Sequence, residues 1–210
     1  MVSNGGQGST PEVRRRPRLY WLAGTAIVVT LLTVATTVAR RDPGKATTVG
    51  PAIGNTAPSF QLVDAVSGQQ LSSDSLRGHK TLLFFSEGPM CQACMQQIVD
   101  LQSSGALSRN KIQLMSVAVD GPEDLKSATQ QYGVTTSFLA DADGTMSTAY
   151  GMIAHGGMAM PGMDGHAFML IGPDGKVLWH HAITTMYIAP KQLMQTMGMA
   201  MSPSGMMGNG

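Results

Sequence analysis

Unbroken runs of apolar residues alternate along this chain with stretches whose apolar residues recur every three or four positions. Thr81-Leu82-Leu83-Phe84-Phe85 is one such run, and its continuity predicts a strand buried on both faces. Met95, Ile98, Val99 and Leu101 then follow at helical spacing. Ile112 to Val119 predicts another strand, ending at Asp120-Gly121-Pro122. Glu123 to Tyr132 predicts a helix opened by Pro122 and stopped by Gly133. A strand at Ser137 to Ala140 and a short helix over Thr145 to Tyr150 come next. Ala167 to Ile171 and Val177 to Ala182 predict two strands joined by the turn Gly172-Pro173-Asp174-Gly175-Lys176. Pro190 to Met197 predicts a last helix, with proline in its first turn. Strands alternating with helices and closed by a hairpin predict an α/β class, a central mixed sheet flanked by helices.

Upstream the pattern changes. Arg14, Arg15, Arg16 and Arg18 precede an uncharged run from Leu19 to Ala39, which Arg40, Arg41 and Asp42 close. A helix needs about 20 mainly apolar residues to cross a bilayer, and residues 19–39 have that length. Tyr20 and Trp21 stand where an interfacial aromatic belt belongs, and the denser basic cluster predicts an inward N-terminus. The organisation expected is a disordered cytoplasmic tail (1–18), a single transmembrane helix (19–39) and a Gly/Pro/Thr-rich linker (40–53). A folded domain (54–197) and a Met/Gly-rich flexible tail (198–210) follow. The tether composition extends to Pro58. The location implied is the cell membrane, single-pass, with the domain on the extracytoplasmic side.

Charged residues are only 13% of the 210, and the net charge of +1 leaves no basic field to gather nucleic acid. The two cysteines lie three positions apart, so they do not staple distant segments. Cys91-Gln92-Ala93-Cys94 sits where a buried strand hands over to a helix. The free N–H groups and dipole of a first helical turn stabilise a thiolate, which is the nucleophile in disulfide exchange. Cys91 is the expected nucleophile and Cys94, one turn on, the resolving thiol. No second CxxC exists to complete a zinc site. His79, His155, His180 and His181 have no ligand spacing, and no phosphate loop or Ser/His/Asp set is present.

Gly54-Asn55-Thr56-Ala57-Pro58-Ser59-Phe60-Gln61-Leu62, Leu71 to Gly78, the strand with its CxxC, and Gly165 to Lys176 together resemble the redoxin superfamily. That group holds AhpC/TSA peroxiredoxins and membrane-tethered TlpA/ResA-like thiol oxidoreductases. The resemblance implies a thioredoxin-like fold and a CxxC acting on protein thiols or disulfides, with no cofactor. Peroxiredoxins carry a PxxxTxxC loop and an Arg. If Cys94 is the peroxidatic residue, Cys91 replaces the Thr and Glu87 the Pro, and the only later Arg is Arg109. Thiol peroxidase activity is therefore the alternative to exchange. A carboxylate at Glu87, if near the thiol, would disfavour the thiolate. Where thioredoxins place a cis-proline before the closing strand, this chain has His166, which would face the cysteines and tune them.

Sco-type copper chaperones share the fold, a cysteine pair in this loop and a His before the closing strand. This likeness implies an alternative copper site of Cys91, Cys94 and His166. The 17 methionines bear on it, since Met158, Met160, Met163 and the C-terminal Met197, Met199, Met201, Met206 and Met207 carry soft thioethers.

Overall fold

The computed structural model describes residues 50–153 and 160–201. Seven strands among them form one sheet: β1 (Gln61–Asp64), β2 (Gln70–Ser72), β3 (Lys80–Phe85), β4 (Ile112–Ala118), β5 (Ser137–Ala140), β6 (Ala167–Ile171) and β7 (Val177–Ala182). The helices are α1 (Gln92–Ser103), α2 (Ala106–Arg109), α3 (Pro122–Tyr132), α4 (Thr145–Ala149) and α5 (Pro190–Met201), with a 3-10 turn at Ser73–Leu76.

The strand order is β2-β1-β5-β4-β3-β6-β7. Strands β3, β4 and β5 run parallel, whereas β6 pairs antiparallel with β3 and β7 antiparallel with β6. A β3-α1-β4 crossover and a β6-β7-α5 closing unit are the parts of a thioredoxin-like fold, as the resemblance implies.

Strand β3 is central because it is apolar on both faces. Leu82 and Phe84 face a core shared with Ile98, Leu101, Leu125, Phe168 and Leu193, contributed by helices α1, α3 and α5 and by β6. Leu83 and Phe85 face the opposite core with Met115, Leu139, Met146, Tyr150 and Met169. Both side chains of each pair are wholly excluded from solvent. Burial of that kind stabilises by roughly 1.5–3 kcal/mol per side chain, which is why the strand reads as a continuous apolar run rather than an alternating one.

The sequence-based boundaries differ from the structure at several places. Helix α5 runs four residues past Met197, so residues 198–201 are helical and not tail. The stretch before Pro58 is no free tether: the Gly54 N–H donates to the Val177 carbonyl at 2.8 Å and the Ala57 N–H to the Gly175 carbonyl at 2.9 Å. Gly50, within the expected linker, packs so closely on the Tyr150 carbonyl that any side chain there would collide. Open backbone groups on the β7 hairpin explain this pairing, since the sheet edge needs partners. The expected membrane span at 19–39, the tail at 1–18, most of the linker, His155, Met158 and residues 202–210 lie outside the described residues. No helix among the described residues is long and apolar enough to cross a membrane.

Phe84 ties this core to the residues around the cysteines, since it stacks on Phe168 at 4.5 Å and meets the His166 ring edge at 4.7 Å. Replacing Phe84 with Ala is expected to lower the unfolding free energy by about 3–5 kcal/mol in chemical denaturation. A loss below about 1 kcal/mol would contradict the central position assigned to β3.

Candidate active site

The chain leaves β3 at Phe85 and turns outward over six residues before α1 begins. Gly88 sits at φ +77° against the Asp120 carboxylate, where a Cβ would collide. The Cys91 N–H closes the turn on the Gly88 carbonyl at 3.1 Å. Cys91 is then the N-cap of α1: its Sγ accepts a hydrogen bond from the Cys94 N–H at 3.1 Å, in the role a serine hydroxyl usually fills. Cys91 and Cys94 are joined as a disulfide, with Cα atoms 5.2 Å apart.

The two sulfurs have different surroundings. Cys91 is partly exposed, whereas Cys94 is 0% exposed. Glu87 Oε2 lies 2.8 Å from Cys94 Sγ, and His166 Nδ1 lies 3.6 Å from the same sulfur. In the disulfide neither sulfur carries a proton, so the Glu87 contact is a hydrogen bond only when the carboxyl holds the proton. After reduction the Cys94 S–H can donate to the carboxylate instead.

His166 reaches the cysteines as its place before β6 implies. Its ring is wedged among Phe84, Phe168 and Cys94, and burial pushes its pKa down to about 4. The imidazole is therefore neutral at pH 7. The 3.9 Å approach of Nδ1 to Glu87 Oε2 is then a dipolar contact and not an ion pair. Its Nε2 is buried without a hydrogen bond.

Carboxylates gather at this end of the sheet. Glu87 follows β3, Asp120 follows β4, Asp141 follows β5, and Asp164 precedes the antiparallel β6. Asp141 accepts the N–H groups of Met146 and Ser147, at 3.1 and 2.7 Å. Asp164 accepts the Ser147 hydroxyl at 2.9 Å, while its Oδ1 is buried without a partner. Burial first, then the charges of Asp141, Glu87 and Asp120, push the Asp164 carboxyl up to about 8 despite the Ser147 hydrogen bond. Asp120 is also raised, by burial and then by Asp124. The sequence reading missed this group, although a carboxylate within two residues of the end of each parallel strand was the available signal.

A cavity of about 330 Å³ opens beside the outer sulfur. Cys91, Ala93 and Glu87 line it together with Met90, Met160, Met163 and Met186. No Lys or Arg does. Arg109 is on α2, where it lines a separate cleft with Pro190 and Lys191. Ligand atoms of Glu87, Cys91 and Cys94 lie within 4.8 Å of one another, so the third candidate ligand beside both sulfurs is a carboxylate, with His166 approaching through Cys94. His79 is exposed, and His180 and His181 alternate across β7 away from this cavity.

The two shifted groups act on stability in opposite directions. Asp164 is raised in the folded state, so its contribution is full below about pH 4 and is lost as pH rises through about 8. His166 is lowered, so its contribution is full above about 6.5 and is lost as pH falls through about 4. Between pH 6.5 and 8 the raised Asp164 makes stability fall, while the lowered His166 and His180 oppose it near the lower end. Urea unfolding at pH 6.5, 7.2 and 8 isolates the Asp164 part by difference: stability should change less favourably with rising pH in the wild type than in Asp164→Asn. An equal slope in both proteins would assign the effect elsewhere.

Comparison with known proteins bears on the fold and the family. A protein of Mycobacterium tuberculosis named as a candidate peroxiredoxin is 26% identical over 128 residues, 60% of this chain and 81% of its own. Among solved structures, Enterococcus faecalis AhpC superposes with a TM-score of 0.59 at 20% identity, covering 70% of this chain and 91% of that one. A candidate protein disulfide isomerase of Bacteroides thetaiotaomicron superposes with a TM-score of 0.55 at 20% identity, covering 73% and 93%. These likenesses bear on the fold alone. The AhpC/TSA family model matches residues 53–180, over half the sequence, and the chain belongs to that family.

Proposed function

We propose that this protein is a thiol–disulfide oxidoreductase acting on protein or small-molecule thiols and disulfides through Cys91 and Cys94, with no cofactor. The observation that supports this reading is the asymmetry of the pair. The partly exposed Cys91 Sγ accepts the first-turn N–H, while the buried Cys94 Sγ meets the Glu87 carboxyl. A donated N–H favours a thiolate on Cys91. The neighbouring carboxyl and an uncharged His166 leave Cys94 as the protonated thiol until it is needed.

The steps follow from that division. The Cys91 thiolate attacks one sulfur of a partner disulfide; the partner's S–S bond breaks and its other sulfur leaves as a thiolate. Cys94 then gives its proton to Glu87 and attacks Cys91 Sγ, releasing the second partner sulfur. Both chain thiols end oxidised, as the closed Cys91–Cys94 pair, and one partner disulfide ends reduced. Glu87 is the general base for resolution, and His166 tunes Cys94 by withholding positive charge from it. Run in reverse, a partner thiolate attacks the exposed Cys91 sulfur and Glu87 returns a proton to Cys94.

A second reading has specific support from the family and from relatives named as peroxiredoxins. As a thiol peroxidase, the Cys91 thiolate would take one peroxide oxygen as a sulfenic acid, and Cys94 would displace water to close the same disulfide. The methionine-lined cavity offers no cation to draw a peroxide or stabilise the departing oxygen. Exchange needs no such group and is preferred.

The sequence also supports an anchor at 19–39 that holds the domain on the outer side of the cell membrane. A β-lactamase fused at the C-terminus should confer ampicillin resistance and sediment with membranes; a sensitive strain making full-length fusion would exclude that location.

Insulin reduction by the soluble domain tests the main reading. Cys91→Ser should cut the rate about a thousandfold or more, since it removes the nucleophile. Cys94→Ser should accumulate a mixed disulfide visible by mass spectrometry. A wild type as inactive as Cys91→Ser, yet able to consume peroxide with a dithiol donor, would replace exchange by the peroxidase reading.

A further inference from the structure

The cavity beside Cys91 has an unusual lining for a substrate pocket. Its apolar wall is built from four methionines, Met90, Met160, Met163 and Met186, drawn from three separate segments of the chain. Met90 adjoins Cys91 and is 92% exposed, so its thioether is open to solvent beside that sulfur. The two cysteine Cα atoms are 5.2 Å apart, so their sulfurs stay within reach of a single ion once the disulfide opens. Reduction therefore presents the Cys91 sulfur and several thioethers to one small volume, with the Cys94 sulfur within 4.8 Å of Cys91. Such an all-sulfur set selects a soft monovalent ion, whereas Zn(II) sites are completed by imidazole or further thiolates.

The charges agree. Among the described residues no Lys or Arg lines the cavity, and Glu87 places a carboxyl in its wall. This surface offers a cation a negative potential and offers an anion nothing.

We propose that the reduced protein binds one Cu(I) ion through Cys91 Sγ, Cys94 Sγ and a thioether of this methionine rim. Glu87 supplies charge beside the ion rather than a bond, since a carboxylate oxygen is a hard ligand. Binding takes both sulfurs as thiolates, displaces the Cys94 thiol proton to solvent and transfers no electron, because copper enters as Cu(I). The site exists only while the pair is open, so it rests on the reversible dithiol of the exchange reading, and disulfide closure would expel the ion. The third ligand differs from the His166 of the chaperone resemblance: His166 is buried behind Cys94, while the methionines share the open cavity with Cys91.

The test is an anaerobic Cu(I) titration of the reduced domain against the coloured chelator bathocuproine disulfonate, with thiols counted on the same sample. Two thiols and one retained Cu(I) per chain are expected, with a sulfur-only shell in X-ray absorption. Met90→Leu, at an exposed position that cannot unfold the domain, and the fourfold Met90/Met160/Met163/Met186→Leu variant should weaken binding about tenfold to a hundredfold while keeping both thiols. Three results would each overturn the proposal. One is two free thiols without retained Cu(I). Another is unchanged affinity in the well-folded fourfold variant, which would leave the methionines as apolar contacts only. The third is a nitrogen ligand lost in His166→Ala. A sample whose disulfide resists reduction would show no thiols, and would reject the exchange reading together with the site.

Discussion

A carboxyl group held against a sulfur in a protein interior is costly unless a proton passes between them. Glu87 and Cys94 are in that position, 2.8 Å apart and both shielded from solvent. Everything distinctive about the site follows from this contact. In the exchange reading proposed above, this contact keeps the inner cysteine a thiol, leaves the outer one as the nucleophile, and provides the base that the inner thiol needs at resolution. The scaffold supports it with two hydrophobic layers on β3, which carry the chain to Glu87 in a buried setting before the turn at Gly88 releases Cys91 toward solvent.

Much of the scaffold was legible from residue patterns. The runs at Thr81–Phe85, Ile112–Ala118 and Ala167–Ile171 are strands because both faces of a central sheet are buried and apolar residues dominate them, with Gln113 the one exposed position. The short strands β1 and β2 escaped a clear boundary. Gln61–Asp64 and Gln70–Ser72 are brief, half exposed and lie at the sheet margin, so their pattern differs little from loop. The pairing of Gly54 and Ala57 with the β7 hairpin was invisible because it is made by backbone atoms, which composition does not record.

The site divides in the same way. The cysteine pair and its place at a helix start were legible locally, since strand, turn and helix are consecutive. The approach of His166 to Cys94 spans 72 residues and entered only through the family resemblance. Glu87 was noticed for its place in the loop, but its distance from the sulfur depends on the turn at Gly88. The carboxylates Asp120, Asp141 and Asp164 are ordinary loop residues in sequence, and only sheet topology gathers them at one edge. Met160 and Met163 stood out in a methionine-rich stretch, whereas Met90 and Met186 join them only in three dimensions.

Membership of the AhpC/TSA family leaves two chemistries for one fold, and the preference proposed for exchange rests on the immediate surroundings of the sulfurs. A cavity walled by thioethers and bordered by carboxylates suits exchange with another sulfur better than capture of a peroxide. The most direct measurement is the midpoint potential of the Cys91–Cys94 pair, by thiol titration in graded dithiothreitol buffers. A working exchange pair gives one reversible two-electron couple between about −120 and −270 mV, the span of thioredoxin-like dithiols. A pair still closed below about −300 mV would be a structural clamp, and would contradict the role proposed for both sulfurs.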